Sequence, residues 1–318
     1  MPSSPPTVEA ARPAISLVAT LYRSRAFLPR FLDECQAALR SRAGDDFEIV
    51  LVNDGSPDDS LAYALSRRAD VPGLVVVDLS RNFGHHAAIQ AGLSVARGEH
   101  VWLIDADLEV APAVLPELHD KLLSSGADLV FGYQERRKGG WFEQASGALF
   151  WRLLNRLSDT AVPENVLTER VMSRRFVQSL LSLGDRSLFL GGMMSWTGYL
   201  QIGMPIAKSQ REGASTYTLA KRLQLMTTAV SSFSAKPLTA MFPAGLTITL
   251  LAFGYALYLV LRKLIWGDAL LGFTSLMALG ALSLGVLTTG LGLLGIYLGK
   301  VYTQVQARPT FIIRDLHR

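Results

Sequence analysis

Between Ala14 and Gly132, short apolar runs alternate with segments whose apolar residues recur at helical spacing. That alternation predicts a parallel sheet wrapped by helices, the pattern of an α/β nucleotide-binding domain. The predicted strands are Ile15–Leu21, Phe47–Asn53, Leu74–Leu79, Val101–Ile104 and Asp128–Phe131. Each is short and rich in Val, Ile and Leu, as strands covered on both faces should be. A helix is predicted to open at Ser56-Pro57-Asp58-Asp59, where serine can cap, proline can start the first turn and acids favour the positive end of the helix.

Two later stretches, Pro237–Leu261 and Ala269–Gly299, carry no charge at all. As a helix the first spans roughly 37 Å, enough to cross a hydrocarbon core of about 30 Å. Both therefore read as transmembrane helices; a pair of buried core helices is the competing reading. The link between them holds Arg262, Lys263 and Asp268, while Lys221, Arg222 and Lys236 precede the pair and Lys300, Arg308, Arg314 and Arg318 follow it. By the positive-inside rule, the α/β domain and both termini then lie in the cytosol, with the chain multi-pass in the inner (plasma) membrane. Before the pair, Leu219, Leu223, Met226, Val230 and Phe233 recur at helical intervals, which suits an amphipathic helix lying on the membrane or one facing a core. The expected plan is a disordered tail (1–12), the α/β domain (13–218), an interfacial helix (219–236), two transmembrane helices (237–299) and a cytosolic tail (300–318).

Composition adjusts this picture in a few places. An apolar fraction of 49% is high for a soluble protein and agrees with a membrane part. The single cysteine, Cys35, excludes an intramolecular disulfide framework and a cysteine zinc site. Residues 1–12 have no apolar core after a basic start and do not read as a signal peptide. The net charge of +4 comes without any nucleic-acid motif, so anionic lipid headgroups are the expected partner and nucleic acid is not.

Val101-Trp102-Leu103-Ile104-Asp105-Ala106-Asp107 reads as a buried strand ending in two carboxylates. Residues i and i+2 of an extended chain point the same way, so Asp105 and Asp107 could hold Mg²⁺ or Mn²⁺ against a diphosphate. The bland reading is solvated charge or a turn. Asp54 ends another predicted strand and faces the ligand edge, or else simply forms an Asp-Gly turn with Gly55. In Ser80-Arg81-Asn82-Phe83-Gly84-His85-His86, Gly84 permits close backbone approach to a phosphate and Arg81 adds charge. The two histidines lack further ligands at metal spacing and suit hydrogen bonding or a helix start better than zinc.

Together, Ile15–Tyr22, Val52-Asn53-Asp54-Gly55-Ser56, Leu79–His85, Asp105-Ala106-Asp107-Leu108, Asn155–Asp159 and the Ser232–Leu238 region resemble family 2 glycosyltransferases. In particular they are similar to the dolichol- or polyprenyl-phosphate sugar synthases with a two-helix C-terminal anchor. The resemblance implies a GT-A fold, Rossmann-like and followed by a transmembrane hairpin. It further implies inverting transfer of one sugar from a nucleotide-sugar donor to a polyprenyl phosphate acceptor at the cytosolic membrane face, in the synthesis or modification of cell-envelope glycans such as lipopolysaccharide. Thr20, Tyr22, Asp54, Arg81, Asn82, Gly84 and Asp105 would line the donor, and Arg211 and Ser215 would close over it from a Gly-x-Ser-like loop. Asp105 and Asp107 would hold the metal.

The chain departs from the family at several points. Thr20-Leu21-Tyr22-Arg23-Ser24 stands where relatives carry Pro-Val-Tyr-Asn-Glu, Glu109 replaces a Gln, Gln134 replaces an Arg, and Thr168-Glu169-Arg170 replaces Asp-Phe-Arg. A hydroxyl acceptor needs a base to take its proton, whereas a lipid phosphate is already ionised. The missing Asp at Thr168 thus suits a phosphate acceptor, for which Arg137 and Arg152 are the candidate partners. A hydroxyl acceptor, or a membrane scaffold with a degenerate site, is the alternative. Nothing identifies the donor nucleotide, and a homo-oligomer is left open.

Overall fold

The computed structural model describes residues 12–134, 163, 165–207, 234–266 and 272–318. They belong to two compact units, one drawn from Met1–Ala148, Ala161–Thr216 and Pro309–Arg318, the other from Leu149–Thr160 and Tyr217–Arg308.

In the first unit the strands are β1 (Ile15–Leu21), β2 (Phe47–Asn53), β3 (Leu74–Leu79), β4 (His100–Leu103), β5 (Leu129–Tyr133), β6 (Val166–Ser173), β7 (Gln201–Pro205) and β8 (Ile313–His317). They form one sheet in the order β7-β5-β6-β4-β1-β2-β3-β8. The centre, β4-β1-β2-β3, is parallel and matches the predicted alternation of apolar runs and helices. Outside it the all-parallel expectation is corrected. β6 runs antiparallel to β4 and β5, and β8 runs antiparallel to β3. Neither strand is an apolar run: β6 reads VLTERVMS and β8 reads IRDLH, so their pairing was not visible as periodicity. Within the predicted tail at 300–318, Ile313–His317 forms β8 and covers the β3 edge, which left bare would expose a row of unpaired backbone groups.

The helices of this unit are α1 (Leu28–Ala43), α2 (Ser60–Ser66), α3 (His85–Val95), α4 (Leu115–Ser125), α5 (Arg174–Ser182) and α6 (Leu190–Trp196). α1 buries Leu28, Phe31, Leu32, Cys35 and Leu39, spaced for one helical face, in a cluster with Leu17, Leu21, Ile49, Leu51 and Trp102 of the sheet. Cys35 is therefore a core residue, and burial pushes its thiol pKa up. α3 covers the opposite face, where alternate residues of the same strands point. Its backbone lies so close that a Cβ on Gly92 would stand 2.4 Å from Val18 Cγ1 and 2.9 Å from Val52 Cγ2. α2 starts at Ser60 rather than Pro57, since Ser56 and Asp58 are engaged with a neighbouring loop.

The second unit holds α7 (Lys236–Thr239), α8 (Met241–Trp266) and α9 (Phe273–Gln306). Tyr297 Oη donates to the carbonyl of Ser234 at 2.7 Å, and a Cβ on Gly290 would lie 3.1 Å from Met241 Cε. The chain advances from Ser234 to Met241 while its partner recedes from Tyr297 to Gly290, so the two long helices form an antiparallel hairpin. Lys236–Leu259 and Leu282–Gln306 are both long and apolar enough to cross a membrane, and neither is buried by protein. Phe242, Leu251 and Leu264 are among the side chains left bare. In water such a surface would be strongly unfavourable; in lipid it is not. α9 runs seven residues past the predicted end at Gly299. The predicted interfacial helix falls mostly on residues 219–233, outside the described residues.

Candidate active site

The parallel centre of the sheet brings the carboxyl ends of β1, β2, β3 and β4 to one edge. There open α/β sheets bind their ligands. Thr20 and Tyr22 arrive from β1, Asp54 from β2, Ser80 to Gly84 from β3, and Asp105 from beyond β4.

His85, the first residue of α3, ties two of these together. Its Nδ1 lies 3.2 Å from Thr20 Oγ1 and its Nε2 lies 3.5 Å from Asp105 Oδ1. The sequence suits His85 to hydrogen bonding or a helix start, and His85 is not among the predicted site residues. A histidine is found this way only once the β1 end, the α3 start and the β4 end are seen to meet. His86, next along, places Nδ1 at 3.2 Å from the Leu188 carbonyl, and burial, before any charge effect, holds its pKa below the ordinary value. Arg170 of β6 lies near enough to Asp105 to feel its charge. Burial lowers its pKa to about 10, against the opposing pull of Glu169 and Asp105, so it is cationic at neutral pH. Its guanidinium donates to the carbonyls of Thr168 at 2.8 Å and Leu167 at 2.6 Å.

The expectation that Asp105 and Asp107 share a strand face is corrected. β4 ends at Leu103, the chain turns at Ala106 and Asp107, and Leu108 has φ of 57°. Asp107 Oδ1 accepts the amide of Glu109 at 3.0 Å, which fixes the turn. Among the described residues no cluster of three or more His, Cys, Asp or Glu side chains forms a metal cage. The fit to Mg²⁺ or Mn²⁺ is instead that of a site with one or two carboxylates, the other ligands coming from substrate phosphates and water. Asp105 is partly exposed at this edge, as such a ligand must be.

Asp54 has a more specific position than a ligand-facing acid. It is 3% exposed, and its two oxygens accept the amides of Phe83 at 2.7 Å and Gly84 at 2.9 Å. The carboxylate shapes the loop Ser80–Gly84 from within. Gly55 presses on the same loop: with φ of 60°, a Cβ there would lie 2.6 Å from the Asn82 amide nitrogen. Arg81 and Asn82 are exposed, with the Arg81 guanidinium 4.0 Å over the Phe83 ring and donating to the Asn82 carbonyl at 2.9 Å. Gly84 caps α3 with φ of 96°, its amide donating to Asp54 and its carbonyl accepting from the amides of Ala87 and Ala88 at 3.0 Å. Tyr22 is about half exposed beside Arg23.

A second network braces the Tyr22–Arg25 loop. Arg23 donates its amide to Ser56 Oγ at 2.7 Å, Ser24 to Ser60 Oγ at 3.1 Å and Arg25 to Asp58 Oδ2 at 3.1 Å. Asp58 also accepts from Ser56 Oγ at 2.5 Å and Ser60 Oγ at 2.6 Å. Burial alone would raise its pKa, but these hydrogen bonds together prevail and lower it to about 2. Arg137, Arg152, Arg211 and Ser215 lie outside the described residues.

Residues 16–181 match the family model described as Glycosyl transferase family 2. A Mycobacterium tuberculosis (strain CDC 1551 / Oshkosh) protein, whose name assigns it only provisionally to the glycosyltransferases, is 37% identical over 95% of this chain and 88% of its own length. The SfII prophage-derived bactoprenol glucosyl transferase of Shigella flexneri is 31% identical over 96% of this chain and 98% of its own. The undecaprenyl-phosphate 4-deoxy-4-formamido-L-arabinose transferase of Sodalis glossinidius is 32% identical over 94% of this chain and 93% of its own.

Proposed function

The chain belongs to glycosyl transferase family 2, and from that premise we propose that it transfers one sugar from a nucleotide diphosphate sugar to a polyprenyl phosphate at the cytosolic face of the inner membrane. The observation that carries this reading is the edge where Asp105, the His85–Thr20 contact and the amino-terminal turn of α3 converge. One carboxylate for a metal and a helix start for a phosphate are the two things a sugar diphosphate donor requires. The full-length relatives named for bactoprenol and undecaprenyl phosphate support the acceptor.

Asp105 and Asp107 would hold Mg²⁺ or Mn²⁺, which when bound neutralises charge on the departing nucleotide. The remaining work falls to the chain. The loop Ser80–Gly84, set by Asp54 and Gly55, presents its backbone and Arg81 to the nucleotide, with Tyr22 and Thr20 beside it. Arg211 and Ser215, which lie outside the described residues, are the pair assigned by resemblance to cover the diphosphate. The acceptor's phosphate oxygen attacks the anomeric carbon, a new carbon–oxygen bond forms, and the bond to the donor's β-phosphate oxygen breaks. No base is needed, since a phosphate monoester with a second pKa of about 6 is largely dianionic at neutral pH. Arg137 and Arg152 orient that phosphate through their planar guanidinium groups.

The hairpin keeps the domain at the surface where the lipid phosphate resides. Because β8 pairs with β3, the chain must come back, after its apolar helices, to the side of the membrane that holds the catalytic sheet. Two crossings meet that requirement, and the basic residues flanking the pair argue for the cytosol as that side.

The test is turnover by full-length protein in lipid nanodiscs, with UDP-, GDP- and dTDP-sugars supplied in Mn²⁺ against undecaprenyl phosphate or undecaprenol. Transfer to the phosphate and not the alcohol is expected. Equal transfer to the alcohol would overturn the acceptor assignment.

A further inference from the structure

The segment Thr310–Arg318 does more than cover a sheet edge. Along its length it holds the donor loop and the helix that starts beside it. The amide of Ser80 donates to the Ile312 carbonyl at 2.9 Å, and Arg314 donates back to the Ser80 carbonyl at 2.6 Å, so both backbone groups of the loop's first residue are bound by the carboxyl-terminal segment. Arg314 also faces the buried carboxylate of Asp78 at 3.3 Å, which in turn accepts from Asn53 at 2.8 Å. On α3, Thr310 Oγ1 donates to Gln90 Oε1 at 2.6 Å and Arg318 donates to the Val95 carbonyl at 2.8 Å. The register between β3 and β8 shifts at Asp78/Leu79, just before the loop begins.

We propose that Thr310–Arg318 is a strap that positions the nucleotide-sugar site, holding Ser80–Gly84 and α3 from the side opposite to Asp54 and Gly55. Arg314 and Thr310 are its positioning residues; neither is placed against substrate. The proposal rests on the reading that Ser80–Gly84 binds donor. Its physical basis is division of labour. Asp54 fixes Phe83 and Gly84, Gly55 fixes the approach of Asn82, and among the described residues the strap binds both backbone groups of Ser80, where the loop leaves β3. A loop pinned at one end samples more conformations, and donor must then select among them.

The experiment uses the full-length protein with Arg314→Met, Arg314→Lys and Thr310→Val, and with Arg81→Ala as the control for the loop reading. Two quantities are read: amide hydrogen exchange across residues 80–84, and KM for donor against KM for undecaprenyl phosphate. For Arg314→Met, faster exchange at the loop and a rise in donor KM of about 3- to 10-fold are expected, in line with one lost hydrogen bond of ordinary strength. Lipid KM should stay unchanged, Arg314→Lys should restore most of the effect, and Thr310→Val should show a smaller shift in the same direction. Unchanged loop exchange and donor KM in both Arg314→Met and Thr310→Val would overturn the strap, even with Arg81→Ala raising donor KM. An unchanged donor KM in Arg81→Ala would instead remove the loop reading beneath it, and faster exchange in Arg314→Met without any donor effect would overturn the positioning role itself.

Discussion

At the scale of single residues, Asp105 and Asp107, the two carboxylates proposed for the metal, have different neighbours. Asp105 meets His85, while Asp107 fixes the turn through Glu109. Asp105→Asn is expected to lower kcat by about 10²-fold or more while leaving the melting temperature close to wild type, because it removes a charge facing the reaction and no core contact. Asp107→Ala should lose activity and also about 1 kcal/mol of stability, the usual worth of one hydrogen bond. Turnover in Mn²⁺ alongside thermal unfolding separates the two, and near-normal activity in Asp105→Asn would remove that carboxylate from the mechanism. Gly55→Ala is predicted to be harsher than its size suggests. The left-handed backbone and the 2.6 Å approach to Asn82 leave no place for a methyl group. A loss of about 1–3 kcal/mol with a raised donor KM is expected by thermal unfolding and kinetics. Asp54, Gly55 and Asp105 were all legible as residues of interest from their motif positions. What Asp54 does was not legible, since the amides it accepts are those of residues 83 and 84, brought beside it only by the sheet.

Among the elements, the β1–α1 loop and the segment before α2 are joined through Asp58, whose role the sequence suggested only as a helix opener. With a pKa lowered to about 2 from the usual 3.8, Asp58 contributes stability that is complete above the unfolded value and is lost as pH falls from about 4 toward 2. Asp58→Ala is therefore expected to lower the melting temperature at pH 7 and to converge on wild type near pH 2. A difference that persists undiminished at the acid end would contradict the linkage. β8 offers the matching test at the other side of the sheet. Deleting residues 313–318 from the full chain should lower the melting temperature and promote association, since β3 becomes an open edge. Aggregation measured by light scattering checks it.

The whole molecule adds a pH response centred away from the active site. His119 packs edge-on against His100 and Trp102, with ring centroids 4.8 Å and 5.5 Å away. Burial first, then His100 and Arg42, lower its pKa to about 4, with Asp120 opposing. His86 and His100 are lowered too, again chiefly by burial. An unfolded histidine titrates near 6.5, so between about pH 6.5 and 4 the unfolded chain binds more protons than the folded one. Stability should fall as pH drops through that window and be fully restored above it. Asp185, raised by burial, acts in the opposite sense at the acid end. His119→Leu is expected to flatten the decline in melting temperature between pH 6.5 and 4.5, and an unaltered slope would assign it elsewhere.

By itself the sequence determined what local periodicity and composition can encode: the parallel strands β1 to β3 to the residue, the apolar helices, and the Asp105 region with its neighbouring glycines and loops. Each of these is a short-range pattern, set by burial on both faces of a strand or by a run long enough for lipid. Tertiary structure alone decided the rest. The antiparallel places of β6 and β8 come from pairing partners far apart in the chain, and neither strand advertises itself by apolar alternation. The contact of His85 with Thr20 and Asp105 arises for the same reason. It joins three segments that share no sequence pattern, and only the sheet's topology carries them to one edge.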